Sequence, residues 1–225
     1  MLSIIIPCLN ESEGISGTLA ALAPLRARGA EIIVVDGGSS DGTPERAAPH
    51  ADCVLSAPRG RAVQMNAGAA RARGEILLFL HADTLLPDSA DALIVESLKR
   101  SRRSWGRFDI AISGRSPLLR LVAWLMNARS RLTGIATGDQ AIFATRSLFA
   151  AAGGYPEIAL MEDIALSKRL KRFGPPLCLR HRLIASGRRW ERHGVVRTVL
   201  LMWRLRLAYR LGADPAKLAV RYERG

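Results

Sequence analysis

The chain is poor in cysteine and lysine and has no long apolar run, and each shortage removes a class of explanation. Its three cysteines, Cys8, Cys53 and Cys178, are odd in number, widely separated and without Cys-x-x-Cys spacing. Neither a disulfide framework nor a zinc site is expected, and a reducing compartment fits. No apolar segment reaches the roughly 20 residues of a membrane-spanning helix. The opening MLSIIIP carries no basic leader and meets Pro7 too early for a signal-peptide core, so a cytoplasmic location is expected. Also missing are a Gly-x-Gly-x-x-Gly after the first strand pattern and a phosphate loop ending in Gly-Lys-Ser or Gly-Lys-Thr, which sets aside two nucleotide-binding fingerprints.

Lysine occurs only at Lys99, Lys168, Lys171 and Lys217 among 33 basic residues. The formal charge of +13 suits nucleic acid, an anionic membrane surface or a phosphorylated substrate, and a coding bias toward arginine accounts for it equally well. No basic run with interleaved aromatics is present, so no nucleic-acid partner is expected.

What is present is an ordinary globular composition: 225 residues, 48% apolar and 24% charged, enough for one domain with a large core. Leu2 to Ile6 reads as a buried strand, followed by a helix carrying Ile15, Leu19, Leu22 and Leu25 at helical spacing. Glu31 to Val35 is a second strand, Thr43-Pro44 opens a short helix, and Val54-Leu55 is a brief third strand. Ala62 to Arg73 reads as a helix closed by Gly74, and Glu75 to Leu80 as a strand. Four strands alternating with helices indicate an α/β fold with a doubly wound, mostly parallel sheet. Beyond Pro87 the pattern predicts a helix to about Arg102, a strand Arg107 to Ser113, a helix Leu118 to Leu132 and a strand Ala141 to Thr145.

Val195 to Leu211 reads as a last helix. At about 100° per residue, Arg197 and Arg204 fall on one side and Arg206 and Arg210 nearly opposite, so there is no single polar face. Two apolar stripes remain, Leu201 with Leu205, and Leu200 with Trp203, Leu207 and Leu211. They suit burial against the domain on one side and a partner or lipid on the other.

Four polar clusters stand at strand ends: PCLNE (Pro7 to Glu11), DGGSSDGT (Asp36 to Thr43), HAD (His81 to Asp83) and GDQ (Gly138 to Gln140). In an open parallel sheet the carboxyl ends of the strands share one edge, so at least the first three are expected to converge. Asp36, Asp83 and neighbouring amides have the chemistry to hold a nucleotide. One carboxylate accepts hydrogen bonds from ribose or base, and another binds a hard divalent cation that bridges a diphosphate. Arg59 and Arg61 can add cationic contacts.

These motifs resemble, in order, those of the family-2 glycosyltransferases of GT-A fold. They are Pro7-x-x-Asn10-Glu11, Asp36 with GSSDGT, GRAVQMNAG (Gly60 to Gly68), LHADT (Leu80 to Thr84), Glu162-Asp163 and RRW (Arg188 to Trp190). More narrowly the chain is similar to a small bacterial subgroup associated with arsenosugar biosynthesis. The resemblance implies a glycosyltransferase domain over 1–193 and a C-terminal helical segment over 194–225, packed on the domain, a partner or a membrane surface. It implies inverting transfer of a single sugar from a nucleotide diphosphate sugar to a small or lipid-linked acceptor, with a divalent metal, manganese or magnesium. By position, Pro7, Asn10, Glu11 and Asp36 would contact the nucleoside, and Arg61 and Asn66 would help hold it. Asp83 would bind the metal, with His81 as a further candidate ligand. Glu162-Asp163 matches the family's acidic pair, Asp163 being the expected base. Gly138, Asp139, Gln140, Arg189 and Trp190 fall to the acceptor side or its loop.

Three departures stand out. Gly37 follows Asp36 where the family commonly has a second aspartate, His81 takes the first place of the usual Asp-x-Asp, and Ser186 stands where processive members carry glutamine. Competing readings are a noncatalytic nucleotide-binding or membrane-associated protein, a nucleic-acid binder and a nucleotidyltransferase. Oligomers are compatible with all of them.

Overall fold

The structure is a computed structural model that describes residues 1–224, with side chains through residue 222. In chain order its elements are β1 (Leu2–Cys8), α1 (Ile15–Ala27), β2 (Glu31–Asp36), α2 (Thr43–Ala47), β3 (Cys53–Ser56), α3 (Arg61–Arg71), β4 (Ile76–Phe79), β5 (Thr84–Leu85) and α4 (Ala90–Ser101). Then follow β6 (Trp105–Ile112), α5 (Leu118–Thr133), β7 (Phe143–Thr145), α6 (Arg146–Ala151), α7 (Glu162–Leu170), β8 (Leu177–Ala185), α8 (Arg188–His193), α9 (Val195–Arg210) and α10 (Pro215–Arg224).

The eight strands form one sheet in the order β3-β2-β1-β4-β7-β6-β8-β5. The first four are mutually parallel, β7 is antiparallel to both its neighbours, β6 and β8 are parallel to each other, and β5 is antiparallel to β8. The sheet is therefore mostly parallel, as the alternating sequence pattern predicts. Every residue of β1 and β2 is buried, because helices cover both faces of a parallel sheet and its strands read as unbroken apolar runs. Side chains still alternate. Ile4, Ile6, Ile32, Val34 and Leu78 pack on one face with α1 and α4, whereas Ile5, Ile33, Val35, Leu77 and Phe79 pack on the other with α3, α6 and α7.

α3 lies so close to the sheet that a Cβ at Gly68 would come within 2.4 Å of Ile5 and 3.0 Å of Val35. A third, smaller cluster joins the C-terminal helices to the loop before α7: Leu205 and Leu218 bury against Leu160, Met161 and Ile164. The helix expected to run to Arg73 ends at Arg71, and Ala72 turns extended. β8 and β5 complete the sheet from segments whose sequence gave no strand signal.

Candidate active site at the carboxyl edge of the sheet

All four polar clusters meet at one edge. PCLNE, DGGSSDGT and HAD follow the carboxyl ends of β1, β2 and β4, and GDQ arrives there because β7 runs the other way, so that the turn before it lies at the same edge. The first two loops are stitched together. Asn10 N–H donates to Ser39 Oγ (2.8 Å), Ser40 N–H to Asn10 Oδ1 (3.0 Å), Glu11 N–H to Thr43 Oγ1 (2.9 Å) and Ser12 N–H to Asp41 Oδ2 (3.0 Å). Asp36 organises the second loop. Its Oδ2 accepts from the Gly38 and Ser39 amides (both 2.9 Å) and its Oδ1 from Ser39 Oγ (2.5 Å). Burial pushes its pKa up, but those donors outweigh burial and hold it below the usual carboxylate value. Gln64 ties the ends of β1 and β2 by donating to Cys8 O and Val35 O at 2.9 and 2.7 Å. A Cβ at Gly37 would sit 3.1 Å from that amide, a physical reason for glycine where the family commonly has an aspartate.

The HAD turn is anchored by Thr18 Oγ1, which donates to Ala82 O at 2.6 Å. His81 faces the GDQ turn with both nitrogens. Its Nδ1 lies 3.4 Å from Asp139 Oδ1, and its Nε2 would be only 2.5 Å from a Cβ at Gly138. Asp83 turns the other way. The Arg188 guanidinium sits on Asp83 Oδ2 (3.3 Å) and Glu11 Oε2 (3.0 Å), and Glu11 foremost raises the arginine's pKa.

An internal cation thus already spans two carboxylate oxygens at the place where a divalent ion would be expected. Hard oxygen donors suit magnesium or manganese. Among the described residues no group of three or more His, Cys, Asp or Glu side chains could hold a metal, so an ion here would take its remaining ligands from a diphosphate and water. On those terms the residues fit such an ion.

Two cavities open side by side. One, of about 460 Å³, is lined by Pro7, Glu11, Arg59, Arg61, His81 and Asp83 and closed by Arg189 and Trp190. The other, of about 440 Å³, has largely apolar walls from α5 (Val122, Leu125, Met126) and α9 (Val199, Met202, Trp203), with Asp163 and Gly138 at its inner end. Glu162, Arg61, His81, Asp139 and Trp190 border both.

The acidic pair opens α7 after Met161, which adopts φ +71°. Asp163 Oδ2 accepts from Gly138 N–H (2.9 Å) and its Oδ1 from Ile164 N–H (2.6 Å). Burial, then the Asp163 charge, raises Glu162 to about 7, against a smaller opposing effect of Arg61. Burial raises Asp163 as well. Two carboxylates side by side in an apolar setting share one titration, so these shifts belong to the pair. Asp139 moves oppositely. It keeps 48% of its side chain open to the cavity while protein surrounds it, and His81, Arg61 and Arg129 more than offset its desolvation, leaving its pKa lowered.

Of the residues singled out from the sequence, Pro7, Glu11, Arg61, His81, Asp83, Gly138, Asp139, Glu162, Asp163, Arg189 and Trp190 border the cavities. Asn10, Asp36, Asn66 and Gln140 lie outside those two linings, and each hydrogen-bonds to protein. Asn66 clamps the Tyr155 backbone with two 2.9 Å bonds. Gln140 is buried, with its side chain on the Thr137 amide at 3.3 Å.

Sequence reasoning missed Gln64, the bridging place of Arg188, and Arg129, whose Nε and Nη2 are buried without a hydrogen-bond partner beside the second cavity. It also missed Tyr222, on whose ring the Arg189 guanidinium stacks at 3.7 Å. Arg188 carried a signal, as the first residue of RRW. Gln64 carried one too, as a member of GRAVQMNAG, whereas Arg129 and Tyr222 carried none, since the cavities they border are assembled only by folding.

Residues 3–146 match the family model described as glycosyl transferase family 2. Poly-β-1,6-N-acetyl-D-glucosamine synthases of Staphylococcus epidermidis and Staphylococcus aureus are each 32% identical, over 106 and 104 residues. Both alignments cover 44% of this chain, and 26% and 25% of those proteins, so the matched part is about a quarter of the relatives' length. Among solved structures, S. aureus TarS in complex with UDP aligns with a TM-score of 0.66 at 18% identity, over 82% of this chain and 60% of that one. A Pyrobaculum calidifontis mannosyltransferase in complex with GDP-Man and Mn2+ aligns with a TM-score of 0.66 at 21% identity, over 98% and 68%. The fold of this chain is therefore that of these transferases, and by its sequence the chain belongs to glycosyl transferase family 2.

Proposed function

We propose that the chain transfers a single sugar from a nucleotide diphosphate sugar to the hydroxyl of a small or lipid-linked acceptor, with inversion. The observation that carries this reading is the pair of cavities that meet at Glu162, one lined by carboxylates and arginines together and one with largely apolar walls. Relatives whose structures were solved with UDP or with GDP-Man and Mn2+ support the donor class.

In this reading the donor occupies the polar cavity. Arg61 and Arg188 offset the diphosphate charge, the guanidinium of Arg188 passing from Asp83 and Glu11 to phosphate oxygens. Asp83, with Glu11, would hold a divalent ion, manganese or magnesium. When bound, such an ion supplies Lewis-acid stabilisation of the departing diphosphate.

The acceptor enters the apolar cavity. Asp163, its oxygens fixed by two amides, takes the hydroxyl proton while the acceptor oxygen bonds to the anomeric carbon. The bond from that carbon to the diphosphate breaks on the opposite side, the diphosphate keeping the electron pair. Glu162 stands between the two reactants beside Arg61. A carboxylate pair with raised pKa suits a general base working near neutral pH. The C-terminal segment belongs to this site, since Met202, Trp203 and Tyr222 border its cavities. We place the protein in the cytoplasm, at the membrane face when the acceptor is a lipid.

The test is calorimetric titration with UDP, GDP, ADP, CDP and dTDP, with and without manganese, on wild type and Asp83→Ala. Manganese-dependent binding of one of these nucleotides, weakened at least tenfold by the substitution, is expected. No binding by any of them overturns the donor site. A product retaining the donor's anomeric configuration overturns the inversion.

A further inference from the structure

The outward faces of α5 and α9 carry exposed large apolar side chains that the transfer reading does not use. Leu205 and Leu201 of α9 pack toward the domain, while Trp203 is 64% exposed, Leu207 59% and Leu211 78%. At about 100° per residue, Val196, Leu200, Trp203, Leu207 and Leu211 share an arc of about 80°. Arg197 and Arg204 stand at one edge of it and Arg206 and Arg210 at the other. The absence of one polar face noted in the sequence thus has a different meaning. The helix has an inner apolar face, an outer apolar face, and arginines between them on both sides.

α5 repeats the arrangement. Trp124 is 64% exposed and shares an arc of about 120° with Leu118, Leu121, Leu125 and Leu132, all exposed. Arg120 and Arg131 lie at one edge and Arg129 at the other. α5 packs beside α9, and the apolar cavity that leads to Asp163 opens between them.

We propose that this face seats on an anionic lipid bilayer, which makes the acceptor an amphiphile drawn from that bilayer into the cavity between α5 and α9. The acceptor part of this rests on the transfer reading above, and the docking part does not. Contiguous exposed apolar patches of this kind mark interaction surfaces, and charge chooses the occupant. Neither helix contains a single Asp or Glu over 118–133 or 195–210. Arg120, Arg197, Arg204 and Arg210 are exposed around the two stripes, where their stems lie along apolar surface and their heads reach anionic headgroups.

A second copy fits worse, because a two-fold interface sets the same patch against itself and would bring arginine against arginine with no carboxylate to pair it. No helix among the described residues is long and apolar enough to cross a membrane, so the contact is one of lying on the surface. The unpartnered Nε and Nη2 of Arg129 at the cavity suit an acceptor with an anionic head.

The experiment is co-sedimentation of the full chain with vesicles of one part phosphatidylglycerol to two parts phosphatidylcholine, compared with phosphatidylcholine alone. Binding at least tenfold stronger to the anionic vesicles is expected. Trp124→Ser/Leu207→Ser, at two exposed positions outside both cavities, should lose it at least tenfold while keeping the wild-type melting temperature and nucleotide affinity. Arg120→Gln/Arg204→Gln should lose the preference for anionic lipid. Equal binding to both vesicle types, no binding, or full binding by the Trp124→Ser/Leu207→Ser variant overturns the proposal. So does a concentration-dependent dimer in sedimentation equilibrium that this variant abolishes. Vesicle binding without nucleotide binding would fail the transferase reading alone, and nucleotide binding without vesicle binding would fail the docking alone.

Discussion

Replacing Glu162 with glutamine should make the protein more stable at alkaline pH and a worse catalyst. Glu162 is 6% exposed, and burial beside Asp163 raises its pKa from 4.5 to about 7. A folded pKa above the unfolded one means the neutral form suits the fold. Its contribution is fully present below pH 4.5 and is lost as pH rises through about 7. For the Glu162–Asp163 pair, which titrates together, a shift of this size corresponds to folding free energy on the order of 3 kcal/mol missing from the wild type at pH 8. Glutamine keeps the shape and never ionises, so Glu162→Gln should recover most of that quantity at pH 8 and less than about 1 kcal/mol at pH 4.5. For a chain of this size the gain corresponds to a melting temperature about 6–12 °C higher at pH 8. Thermal unfolding followed by circular dichroism on both proteins at both pH values measures it, and pH effects from other groups cancel in the comparison. A variant no more stable at pH 8 than wild type, or one whose advantage does not change between the two pH values, would refute the account of the buried pair. Such a gain paired with lost turnover is expected where a site holds strained charge for its chemistry.

Two other outcomes follow from the same geometry. Asp163→Asn keeps one accepting oxygen for either the Gly138 or the Ile164 amide and loses the other bond, and should lower turnover by about 10²–10⁴-fold, the usual contribution of a general base, with nucleotide affinity unchanged in calorimetry; turnover within a few-fold of wild type would remove Asp163 from the base role. Asp109→Ala should destabilise by about 3–5 kcal/mol, because it strands the fully buried Arg107 guanidinium that Asp109 and Asn127 O hold and also frees Arg131; urea denaturation showing a loss below 1 kcal/mol would mean that the cluster does not brace α5 to β6.

Much of the first half was legible in the chain, because buried parallel strands are short apolar runs and their helices announce themselves by spacing. The second half was not. β8 reads LCLRHRLIA, with Arg180, His181 and Arg182 exposed, and its pairing with β6 shifts register between Phe108 and Asp109, so no period of two survives along it. The edge where ligands gather was legible from the parallel pattern, but the arrival of Gly138 and Asp139 there was not. It depends on the three-residue strand β7 running antiparallel, and strand direction leaves no mark in composition.

By itself the sequence determined the alternating α/β architecture, the polar clusters at strand ends and the two apolar stripes of the last long helix, because these rest on spacing between near neighbours. Tertiary structure alone decided that the side chains of Asn10, Asp36 and Asn66 hydrogen-bond to neighbouring loops and to the Tyr155 backbone. It also decided that Arg188 reaches Glu11 and Asp83, 177 and 105 residues away, and that Glu162 lies where two cavities join. Which stripe of α9 is covered and which faces outward was settled the same way. Periodicity is a local property of the chain, whereas desolvation, ion pairing and the choice of what a face packs against depend on residues brought together only by folding.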